Sequence, residues 1–124
     1  MNGFFAAACL LSVIVACIHT FIGSRTDVEP FLVSSVPEPV KSTLYFCWHI
    51  TTITLFSIAT GFARSSIAVS NRLPATMATV LSLAFCLLGW LIAFLRKRSP
   101  VREMPQGFMF GVVAILGVLG LLLA

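Results

Sequence analysis

A chain of 124 residues has room for one domain, and its 59% hydrophobic and 10% charged residues, with a mean hydropathy of +1.05, exclude an ordinary soluble domain. The net charge of +4 rests on eight basic residues spread over short polar segments without interleaved aromatics, which argues against nucleic acid as a partner. The polar segments are too short for extramembrane catalysis. No nucleophile with its base, phosphate loop or carboxylate pair is present, so the chain reads as a non-enzyme.

A membrane-spanning helix needs about 20 apolar residues to cross a hydrocarbon core roughly 30 Å thick. Four stretches reach that length: Gly3 to Ile22, Ser42 to Ala63, Leu73 to Leu95 and Pro105 to Ala124, with every charged residue between them. Lipid forces a spanning backbone to satisfy its own hydrogen bonds, so all four are expected to be helices. The predicted fold is all-α, a bundle of four transmembrane helices in a single integral membrane domain.

The first span carries Ala8, Ser12, Ala16 and Thr20 at four-residue spacing, a face of small residues that lets a neighbouring helix approach closely. "IVAC", Ile14 to Cys17, fits a loose lipoprotein cleavage pattern. The leading "MNGFF" lacks Lys and Arg, however, and three more spans follow, so an uncleaved first span is expected. The first loop, Gly23 to Lys41, contains "EPFLVSSVPEPVKS", too apolar for a solvated linker. Pro30, Pro37 and Pro39 argue against one long helix, which predicts a short interfacial helix or turn carrying Phe31, Leu32, Val33 and Val36 against the bundle.

The second span opens with "YFCWHITTIT". Tyr45, His49, Thr52, Phe56 and Thr60 recur at helical spacing, with Trp48 beside them, and this polar face is expected to point inward toward the first span. Thr51 and Thr54 are expected to bond only their own backbone. The two histidines, His19 and His49, fall on the same membrane side at depths of about 5 and 10 Å. An ionisable side chain inside a span is a functional-site hypothesis by default, and Tyr45, Trp48, His19 and His49 are the candidate cofactor-binding residues.

A haem, a metal, a quinone or a lipid are the ligand classes open to them. Cys17, His19, Cys47 and His49 form two C-x-H triplets. Residues i and i+2 on a helix diverge too far to share one ion, so no metal site is assigned. The simpler alternative is that His49 hydrogen-bonds the first helix and merely joins two spans. Cys9, Cys17, Cys47 and Cys86 form no C-x-x-C pair and read as apolar packing.

Asn71 and Pro74 mark the start of the third span, which carries Ala78, Ser82, Cys86, Gly89 and Ala93 as a second small-residue stripe. The fourth has Gly107 and Gly111 as G-x-x-x-G, continued by Ala114 and Gly117. Ser12, Ala16, Ser82, Gly89, Gly107 and Gly111 are thus expected to pack helices, chiefly within the chain. Between these spans, Arg96, Lys97, Arg98 and Arg102 form a basic hairpin suited to orientation, with anionic lipid headgroups as a lesser possibility. Together with Arg25 and Lys41 they outnumber Arg64 and Arg72 on the opposite side, which predicts both termini outside the cytoplasm.

The stretch H-x-x-x-G-x-R from His19, then P-F-L-V-S-S, Lys41 and W-H-x-x-T, resembles a group of small bacterial four-span integral membrane proteins of unknown function. The resemblance covers under half of the chain. It implies a bacterial inner-membrane protein in which "HTFIGSR", "EPFLVSS" and "WHITT" form one unit, and it implies no activity. Small multidrug exporters share the four-span plan, but they carry a membrane-embedded Glu in the first helix, where this chain has no acid. Transport therefore ranks behind two other readings. The leading one is an accessory or scaffold subunit docking on other integral membrane proteins or on itself; the runner-up is a module binding one of the ligands above through His19 and His49.

Overall fold

The computed structural model describes residues 1–68, 70–97, 99 and 105–123, and among these the only regular structure is helical. Four helices are long and apolar enough to cross a membrane. The first is continuous over Gly3–Leu32. It runs as α1 (Gly3–Cys17), a π-helical segment (Ile18–Val28) and the single turn α2 (Glu29–Leu32). The others are α3 (Glu38–Ile67), α4 (Leu73–Leu95) and α5 (Pro105–Leu122). Each packs on its chain neighbours, and α5 closes the ring against α1, giving an up-down-up-down bundle.

The first loop is much shorter than the prolines predict. Helix occupies all of Gly23 to Lys41 except residues 33–37, and α3 with its 30 residues is about 45 Å long, well beyond the hydrocarbon thickness. Pro30 sits in the first turn of α2 directly after the π-helical segment, where the Glu29 N–H reaches back to the Ser24 carbonyl. The wider π turn carries the carbonyl four residues back away from the proline ring, which removes the usual clash. Pro37 caps α3 and Pro39 lies in its first turn, positions whose N–H has no helical partner to lose. Of the apolar residues expected to cover the bundle here, Phe31 and Val36 are half-buried while Leu32 and Val33 are exposed.

The core is built from the small-residue faces and a few large side chains set among them. Phe5, Ile58, Phe62 and Val113 pack with Ala8, Ala75 and Ala78; Val15, Ala16 and Leu55 form a second cluster nearer the first loop. Ser12, Ala16 and Ser82 are buried, and the Ser12 and Ser82 hydroxyls donate to carbonyls of their own helices. α4 and α5 cross closely: a Cβ on Gly89 would stand 3.0 Å from the Gly107 Cα, and one on Gly111 would stand 3.2 Å from the Cys86 Sγ. The small residues of α4 and α5 are thus spent on packing within the chain.

The end of the bundle that carries the termini is tied by polar contacts. The Asn2 Oδ1 caps α1 by accepting from the Phe4 and Phe5 N–H groups, while its Nδ2 donates to the Gly120 carbonyl at 2.9 Å and its backbone N–H to the Ser66 carbonyl at 2.9 Å. Ser65 accepts from the Ala75 N–H and donates to the Asn71 carbonyl, and an Arg72 guanidinium N–H donates to the Leu121 carbonyl. One residue, Asn2, thereby joins three helices.

A Cβ on Gly120 would fall 2.5 Å from two ring atoms of the fully buried Phe5, whereas one on Gly3 meets nothing within 4 Å. Gly120→Ala is therefore expected to destabilise the protein by about 1–3 kcal/mol through overpacking. Thermal unfolding in detergent, followed by circular dichroism, should give a lower midpoint for Gly120→Ala than for Gly3→Ala; equal midpoints contradict the packing described.

Candidate functional site

The face that α3 turns inward is set by Lys41, Trp48, Leu55 and Phe62, which recur every seven residues, together with Ile58, Ala59, Ser65 and Ser66. Consecutive residues on an α-helix are separated by about 100°, so an inward Trp48 sends His49 outward. The expected inward face is accordingly corrected. Tyr45, His49, Phe56 and Thr60 are exposed on the outside of the bundle, and Thr52 is half-buried at the border.

The hydroxyls from Thr51 to Thr60 accept this orientation because each is satisfied within its own helix. Thr51, Thr52, Thr54, Ser57 and Thr60 all donate to the carbonyl four residues back, at 2.8–3.1 Å. The expectation for Thr51 and Thr54 thus extends to Thr52 and Thr60 as well. A hydroxyl bonded this way has little need of a neighbouring helix.

Trp48 is the side chain around which the site is built. Its indole stacks on the His19 ring, with centroids 3.8 Å apart and planes 19° from parallel. The His19 Nε2 lies 3.4 Å from the Trp48 carbonyl, which also accepts from the Thr52 hydroxyl. A carbonyl only accepts, so in this long contact the hydrogen sits on Nε2, and in a neutral ring Nδ1 is then an acceptor. Gly23 completes the seat: a Cβ there would stand 2.6 Å from the indole Cη2.

The first helix meets this group in its π-helical segment. Ser24 and Thr26 bond back to the Thr20 and Ile22 carbonyls, while the buried Thr20 Oγ1 has no partner among the described residues. Two cavities flank Trp48. The inner one, about 300 Å³, lies between the π-helical segment, α3 and the start of α5; His19, Asp27, Thr51 and Gln106 supply its polar edge and Val15, Leu55, Met109 and Phe110 much of its apolar wall. The outer one, about 390 Å³, is lined by Asp27, Phe31, Tyr45, Trp48 and Thr51 with Val28, Leu44 and Cys47.

The structure therefore separates the four candidate residues into two pairs. His19 is held by Trp48, while the His49 ring packs edge-on against Tyr45, centroids 4.5 Å apart, on the exposed side of α3. The imidazoles do not face a common space, and no group of three or more potential metal ligands occurs among the described residues. A bis-histidine haem or a shared metal does not fit this arrangement. Gly23 and Asp27 were not among the residues singled out for the site; the H-x-x-x-G spacing from His19 was the available signal for Gly23, which becomes specific only once Trp48 is known to lie across it.

In the basic hairpin, Arg96 and Lys97 are exposed, and Lys97 has a positive φ of 52°. Arg98 and Arg102 lie outside the described residues. A comparison with protein-family models, curated proteins and solved structures gives no match to this chain.

Gly23→Ala forces the indole of Trp48 to shift and is expected to cost about 1–3 kcal/mol. Pairing it with Trp48→Leu, which empties the seat, should recover part of that loss. Thermal midpoints of the two single variants and the double variant measure the coupling, and simple additivity would contradict a direct clash.

Proposed function

We propose that the protein is a non-enzymatic accessory or scaffold subunit of a larger membrane protein complex, and that it docks through the outward face of α3. The observation that carries this reading is His49. Its imidazole lies on the exposed face of a span and contacts Tyr45, with no hydrogen-bond partner among the described residues. A neutral imidazole always has one N–H donor and one acceptor nitrogen. Leaving them unpaired at membrane depth is unfavourable, whereas the neighbouring hydroxyls are already satisfied.

The same face continues into a groove between α3 and α4, about 590 Å³ in volume and lined by Thr52, Phe56, Ser57, Thr60, Gly61 and Arg64 among others. Gly61 and Pro74 bring the two helices together at its floor, where a Cβ on Gly61 would stand 2.9 Å from the Pro74 carbonyl oxygen. A transmembrane helix of another membrane protein, offering a carboxylate or backbone carbonyl to His49, fits this face. A purely lipid contact leaves the imidazole without that partner.

The positive-inside imbalance supports placing the first and third loops in the cytoplasm and both termini outside, and the resemblance of the His19-to-Thr52 stretch is what supports a bacterial inner membrane. On that side the exposed Arg96 and Lys97 meet anionic headgroups as part of ordinary orientation.

Affinity purification from native membranes tests the reading. Losing one interhelical hydrogen bond, about 1–2 kcal/mol, lowers recovery of the partner about tenfold. His49→Leu should show that loss, and Leu87→Ala, on the exposed face of α4, should recover the same partner as the unaltered protein. Equal recovery with His49→Leu, or isolation of the unaltered protein as a lone monomer, would overturn the proposal. Recovery of this chain itself as the partner would replace it with self-association.

A further inference from the structure

We propose that the outer cavity beside Trp48 binds the ammonium head of an amphipathic molecule whose tail lies along the bundle in the lipid. The cavity brings three aromatic side chains, Phe31, Tyr45 and Trp48, to the same space as the carboxylate of Asp27. Asp27 has no ion pair or hydrogen bond among the described residues. Among the described residues no basic side chain lines the cavity; Lys41, one turn below Tyr45, is held instead by Glu38 at 2.9 Å. A carboxylate among aromatic faces attracts a cation and repels an anion.

The Thr51 hydroxyl points to the same chemistry. The Thr51 hydroxyl spends its hydrogen on the Cys47 carbonyl at 3.0 Å, so toward the cavity it presents acceptor lone pairs. A metal cation would want several oxygen ligands in one small sphere, whereas this cavity offers one carboxylate among rings. An organic ammonium group carries its charge on methyl or N–H hydrogens spread over a larger surface, which matches aromatic walls.

The level in the membrane supplies the tail. Asp27 lies just past the apolar stretch that ends at Ile22, so the carboxylate stands near the headgroup layer, where Trp and Tyr are also favoured. Leu44 and Cys47, both exposed, line the cavity, and the next exposed residues along α3 include Ile50 and Ile53. A head seated against Asp27 leaves its chain an apolar path into the hydrocarbon. The site needs no partner subunit, and although its tail path shares Ile53 with the docking face, binding to the purified chain is read without a partner present.

The test uses the full chain in an uncharged maltoside detergent with Trp90→Phe, which leaves Trp48 as the only indole. Titration with hexyltrimethylammonium should give a saturable change in Trp48 emission. Its uncharged analogue, with carbon in place of nitrogen, should give none, and tetramethylammonium, which lacks the tail, should bind about tenfold more weakly. Asp27→Asn and Tyr45→Leu should each weaken binding about tenfold while leaving the helical circular dichroism unchanged. The proposal is overturned by an equal response to the uncharged analogue, by unaltered affinity in both variants, or by tetramethylammonium binding as tightly as the tailed compound, which would assign the site to a soluble cation.

Discussion

The seating of Trp48 on Gly23 and His19 fixes the rotation of α3, and most of what distinguishes this bundle follows from that contact. The half-buried indole lies against the first helix where Gly23 leaves no Cβ at the point of approach, and it stacks on the His19 ring. Leu55 and Phe62, one and two heptads further along the same stripe, are carried into the core with it. The residue after Trp48 must then face outward. The exposure of His49 is thus a geometric consequence of where its neighbour is packed, and the hydroxyls from Thr51 to Thr60 accept the rotation because carbonyls of their own helix satisfy them.

The two ends of the bundle are built differently. At the end carrying the termini, Asn2 bonds to the last turns of both α3 and α5, Ser65 bridges into α4, and Phe5 fills the space above Gly120. The interior of this end is close-packed, and the groove that reaches Arg64 and Pro74 lies on its outer surface. At the opposite end the first helix widens into a π-helical segment, and cavities open on both sides of Trp48. π-Helical turns occur often at functional sites, and here the widening coincides with every polar group that lines the inner cavity from the first helix. Polar contacts tie one end together, while the cavities beside Trp48 collect at the other.

The sequence was legible where lipid imposes a strong constraint. Hydrophobic length shows four helices, and the small residues at Ser12, Ala16, Ser82, Gly89 and Gly107 mark the buried faces of three of them, because close approach in a membrane requires small side chains. The rotation of α3 was harder to read. A polar stripe in an apolar helix argues for an inward face only if its groups lack other partners, and threonine and serine carry a partner four residues away. The heptad of Trp48, Leu55 and Phe62 was the better guide, although it begins with a charged Lys41 that shields itself with Glu38. Pro30 misled for a related reason: its rule presumes α-helical winding, and the preceding turns are π-wound.

The central claim is that α3 turns its His49 face toward another membrane protein. The most direct test is a photocrosslinking scan, with a photoreactive amino acid placed singly at each position of α3 from 45 to 62 in native membranes. The account predicts adducts with one protein at 49, 53, 56 and 60, and contacts within the chain at 48, 55, 58 and 62. Adducts to lipid alone along the outward face would contradict the docking role, and protein adducts at 48, 55 and 62 would contradict the rotation of α3 on which it depends.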